Sequence, residues 1–317
     1  MFSIDFHIEI GKYRLMMIEA VEITKSVDNL ADTAVITLPG SVYNQRLEIE
    51  NKLNEGDEVL IRLGYDEDLK DEFAGYLESV TTDNGTIKIN CEDELFKYRK
   101  DVANKEFTNT GVKQILQYVN KQVGGFELSC DYDFRYNKFT IYNATGFDVL
   151  KKIQEDTKAN VYLKGKTLHI HPQYSETGAT VIYDFSENIE KADLKYRDEK
   201  KRKVLVEVEG SKKDGTVVKA TVGTAGGDKI TMKMPGVNDY NTLKKMAENQ
   251  LAIKSYTGYD GNISGWLIPF VEHGDLAELR DREYPEKNGK YYIISVQTSV
   301  SQNGGERKIT LGKKISA

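Results

Sequence analysis

The chain opens on a strict alternation. Phe2, Ile4, Phe6, Ile8 and Ile10 are apolar and the residues between them are polar. A period of two puts one face in a core and one in water, so residues 2–10 read as a strand. Gly11-Lys12 makes a turn. Residues 13–24 read as further strand, with Met17 near its middle and Val21 and Ile23 near its end. Asp28, Asn29 and Asp32 mark a loop, and Val35 and Ile36 the strand after it. Residues 40–52 read as an irregular polar connection. The clearest pattern follows over Leu53–Leu95. Val59, Ile61 and Leu63 alternate, then Phe73, Gly75 and Leu77, then Ile87 and Ile89. Gly56-Asp57 opens this stretch and Asn84-Gly85 punctuates its last turn, as hairpin chemistry prefers. Residues 1–103 are therefore almost wholly β, with many short strands, which predicts a sandwich or barrel.

Near residue 105 the period changes. Val112, Ile115, Leu116, Val119 and Val123 keep helical spacing, and Gly124-Gly125 ends the helix. Phe126–Leu128 reads as strand, and so does the run from Phe139 to Tyr142. Thr145 and Asp148 stand at capping-box spacing before Phe147, Leu150 and Ile153, the apolar stripe of a second helix. Asn160–Leu163 and Lys166–Ile170, with Gly165 between them, predict a hairpin. Residues 104–174 thus form a small α+β insert. β-type patterning returns over 175–317, with Val204, Val206 and Val208 alternating, Val217 and Val222 in the next strand, and β again from Gly258 to Gly312. One helix near 240–254 carries Leu243, Met246, Ala247 and Leu251.

Two places in the β regions share an order of features. Glu55-Gly56-Asp57 precedes Phe73-Ala-Gly-Tyr-Leu77, Val80, a turn at Gly85 and Ile87-Lys-Ile89. His273-Gly274-Asp275 precedes Tyr291-Tyr-Ile-Ile294, Val296, a turn at Gly304-Gly305 and Lys308-Ile-Thr-Leu311. The two β regions are read as related barrels flanking the insert.

Composition narrows the function. Of 317 residues, 39% are hydrophobic and 30% charged, which suits a soluble protein of two or three domains. The net charge of −6 argues against binding nucleic acid by phosphate neutralisation. The 19 tyrosines suit both half-wet subunit interfaces and plain β-strands. Cys91 and Cys130 have no metal or redox spacing and read as small buried hydrophobes in a reducing compartment. The N-terminal alternation is not a signal peptide, and no stretch approaches the length of a membrane span.

The candidate chemistry is thin. His169 and His171 share one face of a strand and could ligate a metal, but no third ligand stands near them, and His7 and His273 are distant in sequence. A surface strand is the expectation. The carboxylates of Asp66–Glu72 and Glu92-Asp93-Glu94 could form an acid/base pair, yet show no His, Lys or Cys partner and read as solvated loops. Asp93 is also placed to cap a helical turn over Leu95–Lys100. Lys164-Gly-Lys-Thr167 ends like a phosphate loop, but Asn160 stands where a glycine is required and strand follows. Gly226-Gly227 lacks dinucleotide context. Lys195–Lys203 mixes Asp198 and Glu199 into a basic run and reads as a solvated strand end. No catalytic, cofactor-binding or metal residues are assigned.

Three segments belong together: Val21–Leu38, the stretch carrying Gly56-Asp57-Glu-Val59, Leu63-Gly64-Tyr65, Phe73-Ala-Gly75-Tyr76 and Cys91-Glu92-Asp93, and Gly289–Ile293 through Val296 to Leu311-Gly312. In this order they resemble the late control protein D family, the baseplate hubs of contractile phage tails and related injection machines. The resemblance implies two tube-protein-like β-barrels, over 1–103 and 175–317, flanking the α+β domain. It implies a homotrimer whose six barrels form a pseudo-sixfold ring between the hexameric tail tube and the trimeric spike. Tail tube, spike and other baseplate proteins are the implied partners. DNA or cargo would pass an acidic lumen without specific binding or membrane insertion, in a tail baseplate assembled in the bacterial cytoplasm. The chain ends soon after the second barrel, so the spike is expected to be a separate polypeptide, and no lysozyme-like or LysM-like segment is seen. Two other readings compete. One is a carbohydrate- or receptor-binding β-protein with Trp266 and the tyrosines as stacking platforms. The other is a cell-wall hydrolase using the carboxylates of 66–72 and 92–94.

Overall fold

The computed structural model describes residues 3–39, 52–83, 86–175, 177–211, 215–234 and 237–316. Phe2, the connection over 40–51, the turn at Asn84-Gly85 and Pro235 lie outside the described residues.

Among the described residues the first half holds seven strands: β1 (Ile4–Ile10), β2 (Tyr13–Leu15), β3 (Ala20–Ser26), β4 (Thr33–Leu38), β5 (Glu58–Tyr65), β6 (Asp68–Asp83) and β7 (Thr86–Glu92). They lie side by side as β3-β4-β7-β6-β5-β1-β2, every neighbouring pair antiparallel. The alternating residues seen in the sequence point inward together. Ile8, Ile10, Val21, Ile36, Ile61, Leu77 and Ile89 belong to one buried cluster. The single strand expected over 13–24 is two strands. β2 is the hairpin partner of β1 at one end of the sheet and β3 lies at the other end. The chain must cross between them, and Met16 and Met17 are exposed on that crossing.

After a short 3-10 helix (Glu94–Arg99) come β8 (Asp101–Val102), β9 (Lys105–Gly111), α1 (Val112–Val123), β10 (Glu127–Cys130), β11 (Arg135–Ile141), β12 (Ala144–Thr145), α2 (Gly146–Thr157), β13 (Ala159–Lys164) and β14 (Thr167–Pro172). Both helices start and stop where their local chemistry dictates. Gly124 ends α1, and Thr145 and Asp148 cap α2 reciprocally, the Thr145 hydroxyl accepting from Asp148 N and the Asp148 carboxylate from Thr145 N.

The remaining chain forms β15 (Thr180–Asp184), β16 (Lys191–Arg197), β17 (Val204–Ser211), β18 (Val217–Gly223), β19 (Asp228–Met234), α3 (Tyr240–Lys254), β20 (Gly258–Gly265), β21 (Leu276–Arg280), β22 (Gly289–Ser301) and β23 (Gly304–Ser316). Strands β17–β19 stand apart as their own sheet, and α3 packs on it. Their apolar residues Val206, Val208, Leu243 and Ala247 share one core with Ile115, Leu150 and Ile170 of the insert. The other strands lie in the order β16-β20-β23-β22-β21-β15 over a separate core of Ile263, Ile293 and Ile309.

Strand for strand, the two halves correspond: β3 to β16, β4 to β20, β7 to β23, β6 to β22, β5 to β21 and β1 to β15. The irregularities correspond too. The β6–β7 ladder slips between Leu77/Cys91 and Ser79/Asn90, and the β22–β23 ladder between Ile293/Leu311 and Ser295/Thr310. One element differs, because β1 is antiparallel to β5 whereas β15 is parallel to β21. The halves are continuous. β22 pairs with β3 from Ser295–Ser26 to Ser301–Ala20, making one 13-stranded sheet. The mainly β fold with its α+β insert is as the pattern predicts. No ladder among the described strands closes either half into a hydrogen-bonded barrel.

Candidate functional site

The recurring Gly-Asp pair is a built turn in both halves. Gly56 N donates to Leu77 O (2.8 Å) and Leu77 N to Asp57 O (2.8 Å); Gly274 N donates to Ile293 O (2.8 Å) and Ile293 N to Asp275 O (2.9 Å). The carboxylates repeat the pattern, Asp57 accepting from Asn54 N (2.8 Å) and Asp275 from Glu272 N (3.0 Å). Gly56 and Gly274 sit at φ +86° and +83°, where a side chain is strained. Gly75 is held for another reason, since a Cβ there would lie 2.2 Å from Glu92 O. These residues are turn and packing devices.

The halves are also tied by a buried ion pair. Arg307 of β23 donates from Nη2 to Glu72 Oε1 (2.7 Å), from Nη1 to Glu72 Oε2 (3.3 Å) and from Nε to Leu267 O (3.1 Å). Both side chains are almost fully buried. The acidic stretch 66–72 is therefore not simply a solvated loop. Glu72 is a structural counter-ion, Asp71 pairs with Arg62 (2.6 Å), and Asp68 with Lys70 (2.8 Å). In the second stretch Glu92 is buried against Arg99 (2.5 Å) and Glu94 pairs with Lys97. Lys70 lies within the first stretch and Lys97 three residues past Glu94, whereas Arg62, Arg99 and Arg307 reach their carboxylates only through the fold.

The loop between β3 and β4, residues 27–32, is where both halves and the insert meet. From the insert, Asn160 Nδ2 donates to Val27 O (2.8 Å) and Gln154 Nε2 to Asp28 O (3.3 Å). Tyr174 Oη donates to Asp28 Oδ2 (2.8 Å). From the second half, His273 Nε2 lies 3.2 Å from Asp32 Oδ2, and Val27 N donates to Ile294 O (3.1 Å). From the first half, Asp32 N donates to Asp93 Oδ2 (3.0 Å), and Asp93 also accepts from Leu95 N as the expected cap (2.8 Å). Burial, and then the charge of Asp32, raise the Asp93 carboxyl well above its ordinary range.

The histidines converge beside this loop. Tyr162 stacks on His169 with ring centroids 5.1 Å apart and meets His273 edge-on at 5.3 Å, while His169 Nδ1 lies 3.2 Å from His171 Nε2. The expectation of a surface strand is corrected, since His171 is only 2% exposed. The β13–β14 hairpin carries its histidine face against the second half, and that docking buries it. Among the described residues no group of three His, Cys, Asp or Glu side chains is placed to hold a metal. Glu272 binds this corner from outside. Its burial works to raise the carboxyl, but Lys25 (3.3 Å) and Lys164 (3.5 Å) outweigh that and hold it below its ordinary value.

The other candidates stay apart. Lys164–Thr167 is the hairpin turn, and Gly226-Gly227 lies in the β18–β19 connection. The basic run 195–203 is a strand end and turn, with Arg197 paired to Asp260 and Arg202 to Asp228 (3.2 Å). Cys91 is buried and its thiol is pushed up to about 12, by burial and then by Glu78. Trp266 is half exposed beside Tyr65 and Lys191. Among the described residues no helix is long and apolar enough to cross a membrane.

No protein-family model and no curated protein matches the sequence. Solved structures do match the fold. The 43 kDa tail protein of prophage MuSo2 from Shewanella oneidensis superposes with TM-score 0.65 at 16% identity, over 96% of this chain and 97% of that one. The tail protein of Neisseria meningitidis MC58 gives 0.66 at 14%, over 98% and 96%. This is the fold of phage tail proteins. It extends to secretion machines, since a type VI secretion component of E. coli, itself similar to the phage T4 tail proteins gp27 and gp5, matches with TM-score 0.60 at 8% identity, over 96% of this chain and 76% of that one.

Proposed function

We propose that this chain is the structural hub of a contractile-tail or injection-machine baseplate. Three copies would form a ring of six related halves that joins a hexameric tail tube to a trimeric spike and lines the channel. The observation carrying this reading is the correspondence of the two halves, which share strand order, ladder slip and Gly-Asp turn. A chain holding the same sheet twice offers two similar surfaces, so three chains can present six to a sixfold partner and still keep threefold symmetry for a threefold one. The division into 1–103, 104–174 and 175–317 belongs to this reading. The first part and, of the third, β15, β16 and β20–β23 form the ring, and the insert, joined by the β17–β19 sheet and α3, stands as the body beside them.

The buried residues support a role in assembly rather than catalysis. The acidic groups that could have served as acid and base are counter-ions, caps and turn residues. The net charge of −6 per chain suits a lumen through which DNA or cargo passes without adhering. The partners are then the tube, the spike and other baseplate proteins, and the location is the tail baseplate, assembled in the bacterial cytoplasm. Negative-stain imaging of the purified chain tests this. A threefold ring with a central hole is expected. Compact single chains that do not join tube or spike proteins would overturn it, and binding on a glycan array through Trp266 would favour the receptor-binding alternative.

A further inference from the structure

A cleft of about 450 Å³ lies between the insert and the body built by α3 and β19. That is the size of a small-molecule site. Among the described residues, none from the strands proposed to form the ring lines it. One wall is a face of α3. Asn241, Lys245 and Asn249 follow at i, i+4 and i+8, so they stand one above another on the helix. At the helical rise they span about 12 Å. Beside them run Thr242, Met246 and Gln250. The opposite wall is the insert segment from Asp131 to Phe134, with Lys158 at the end of α2. Tyr132 is fixed there twice. Its ring stacks on Phe134 with centroids 5.9 Å apart and planes within 6°, and its hydroxyl donates to Thr157 O (2.8 Å). With Met232 and Met246 it gives the cleft a rigid apolar surface.

The charges of the walls nearly cancel. Asp131 and Asp133 bring two negative charges, and Lys158 and Lys245 two positive ones. The remaining carboxylate, Asp239, is engaged as the cap of α3, accepting from Thr242 N (2.7 Å) and Thr242 Oγ1 (2.8 Å). Those two donors hold it below its ordinary range. A ligand with net charge gains little from such a lining, which argues against a nucleotide, a phosphate or a metal ion. What the walls supply is hydrogen bonding in both directions. Carboxylates accept, ammoniums donate and amides do both. Asp131, Asp133, Lys158, Asn241 and Lys245 are exposed and Asn249 is half-buried, so these groups are open to a ligand from solvent.

We propose that this cleft binds a neutral mono- or disaccharide. Its hydroxyls accept from Lys245 and the amides of Asn241 and Asn249 and donate to Asp131 and Asp133, while its C–H face packs on Tyr132 and the two methionines. The site is separate from Trp266 and from the strands that would form the ring, so it stands or falls independently of the hub reading.

Calorimetry and ligand-observed NMR on the full-length chain test it. The neutral probes are glucose, N-acetylglucosamine, maltose and diacetylchitobiose; the charged comparators are glucosamine, a glucose phosphate and glycylglycine. At least one neutral sugar should bind about tenfold more tightly than every comparator. Asn249→Ala and Asp133→Ala should each weaken that binding about tenfold, the loss of one well-formed hydrogen bond. Trp266→Ala should leave it unchanged. Thermal melting close to the parent shows that the variants fold. Failure of every neutral probe to bind at about 10 mM overturns the proposal. So does binding that neither cleft substitution weakens, or that Trp266→Ala abolishes. Tighter binding of glycylglycine than of any sugar would assign the cleft to a zwitterion and overturn the saccharide.

Discussion

Arg307 and Glu72 lie 235 positions apart in the chain and meet with both side chains nearly out of water. A buried pair of this kind is costly to break, because the remaining charge is left without a partner. Arg307→Met should therefore lower stability by about 3–5 kcal/mol in urea unfolding, whereas the double variant Arg307→Met/Glu72→Met should recover most of the loss. Equal losses in the two proteins would mean the pair contributes through something other than its charge. Asp93 makes a second residue-scale prediction. Its carboxyl is raised in the folded chain, so the folded state holds the proton more firmly than the unfolded one. Its contribution is complete below the ordinary carboxylate range, about pH 4, and is lost as pH rises through the raised value. Asp93→Asn keeps an oxygen to accept from Leu95 N and removes the titration. The parent should therefore lose stability relative to this variant as pH rises from about 4 to 8. A constant difference across that range would refute the assignment. Neither residue could be weighed from the sequence, which showed the acidic runs but not their depth or their partners. What the sequence did show at this scale was local, namely the Thr145/Asp148 box, the Asp93 cap and the Gly124 stop, each settled within about one helical turn.

At the scale of elements, the Gly-Asp turns are the recurring device. Asp275 does more than Asp57, because its Oδ1 also accepts from Ala179 N (2.9 Å), fastening the start of β15. At about 1 kcal/mol per hydrogen bond, Asp275→Ala should cost about twice as much as Asp57→Ala, measured by chemical denaturation. Equal costs would mean that the fastening of β15 contributes nothing. The strands themselves were legible because alternation with period two is a property of a few consecutive residues. Their partners were not. The pattern over Val204–Val222 says strand, but nothing in it says that β17–β19 leave the large sheet and share a core with the insert. The break between β2 and β3 was hidden for a related reason, since a crossing between two sheet ends keeps enough apolar residues to imitate a strand. The third and longest-range miss was the histidine corner. His169 and His171 announced themselves at i, i+2, while His273 joins them only because the insert docks on the second half.

At the scale of the molecule, the repeat is the organising fact. It was visible as a shared order of turn and strand signals around Gly56 and Gly274. The structure turns that order into six corresponding strands and one shared ladder slip. The most direct test of the account is the mass in solution, read by native mass spectrometry or light scattering over a range of concentrations. The account predicts a discrete species with three times the mass of the 317-residue chain. A monomer throughout, or a closed species of two chains, would contradict it.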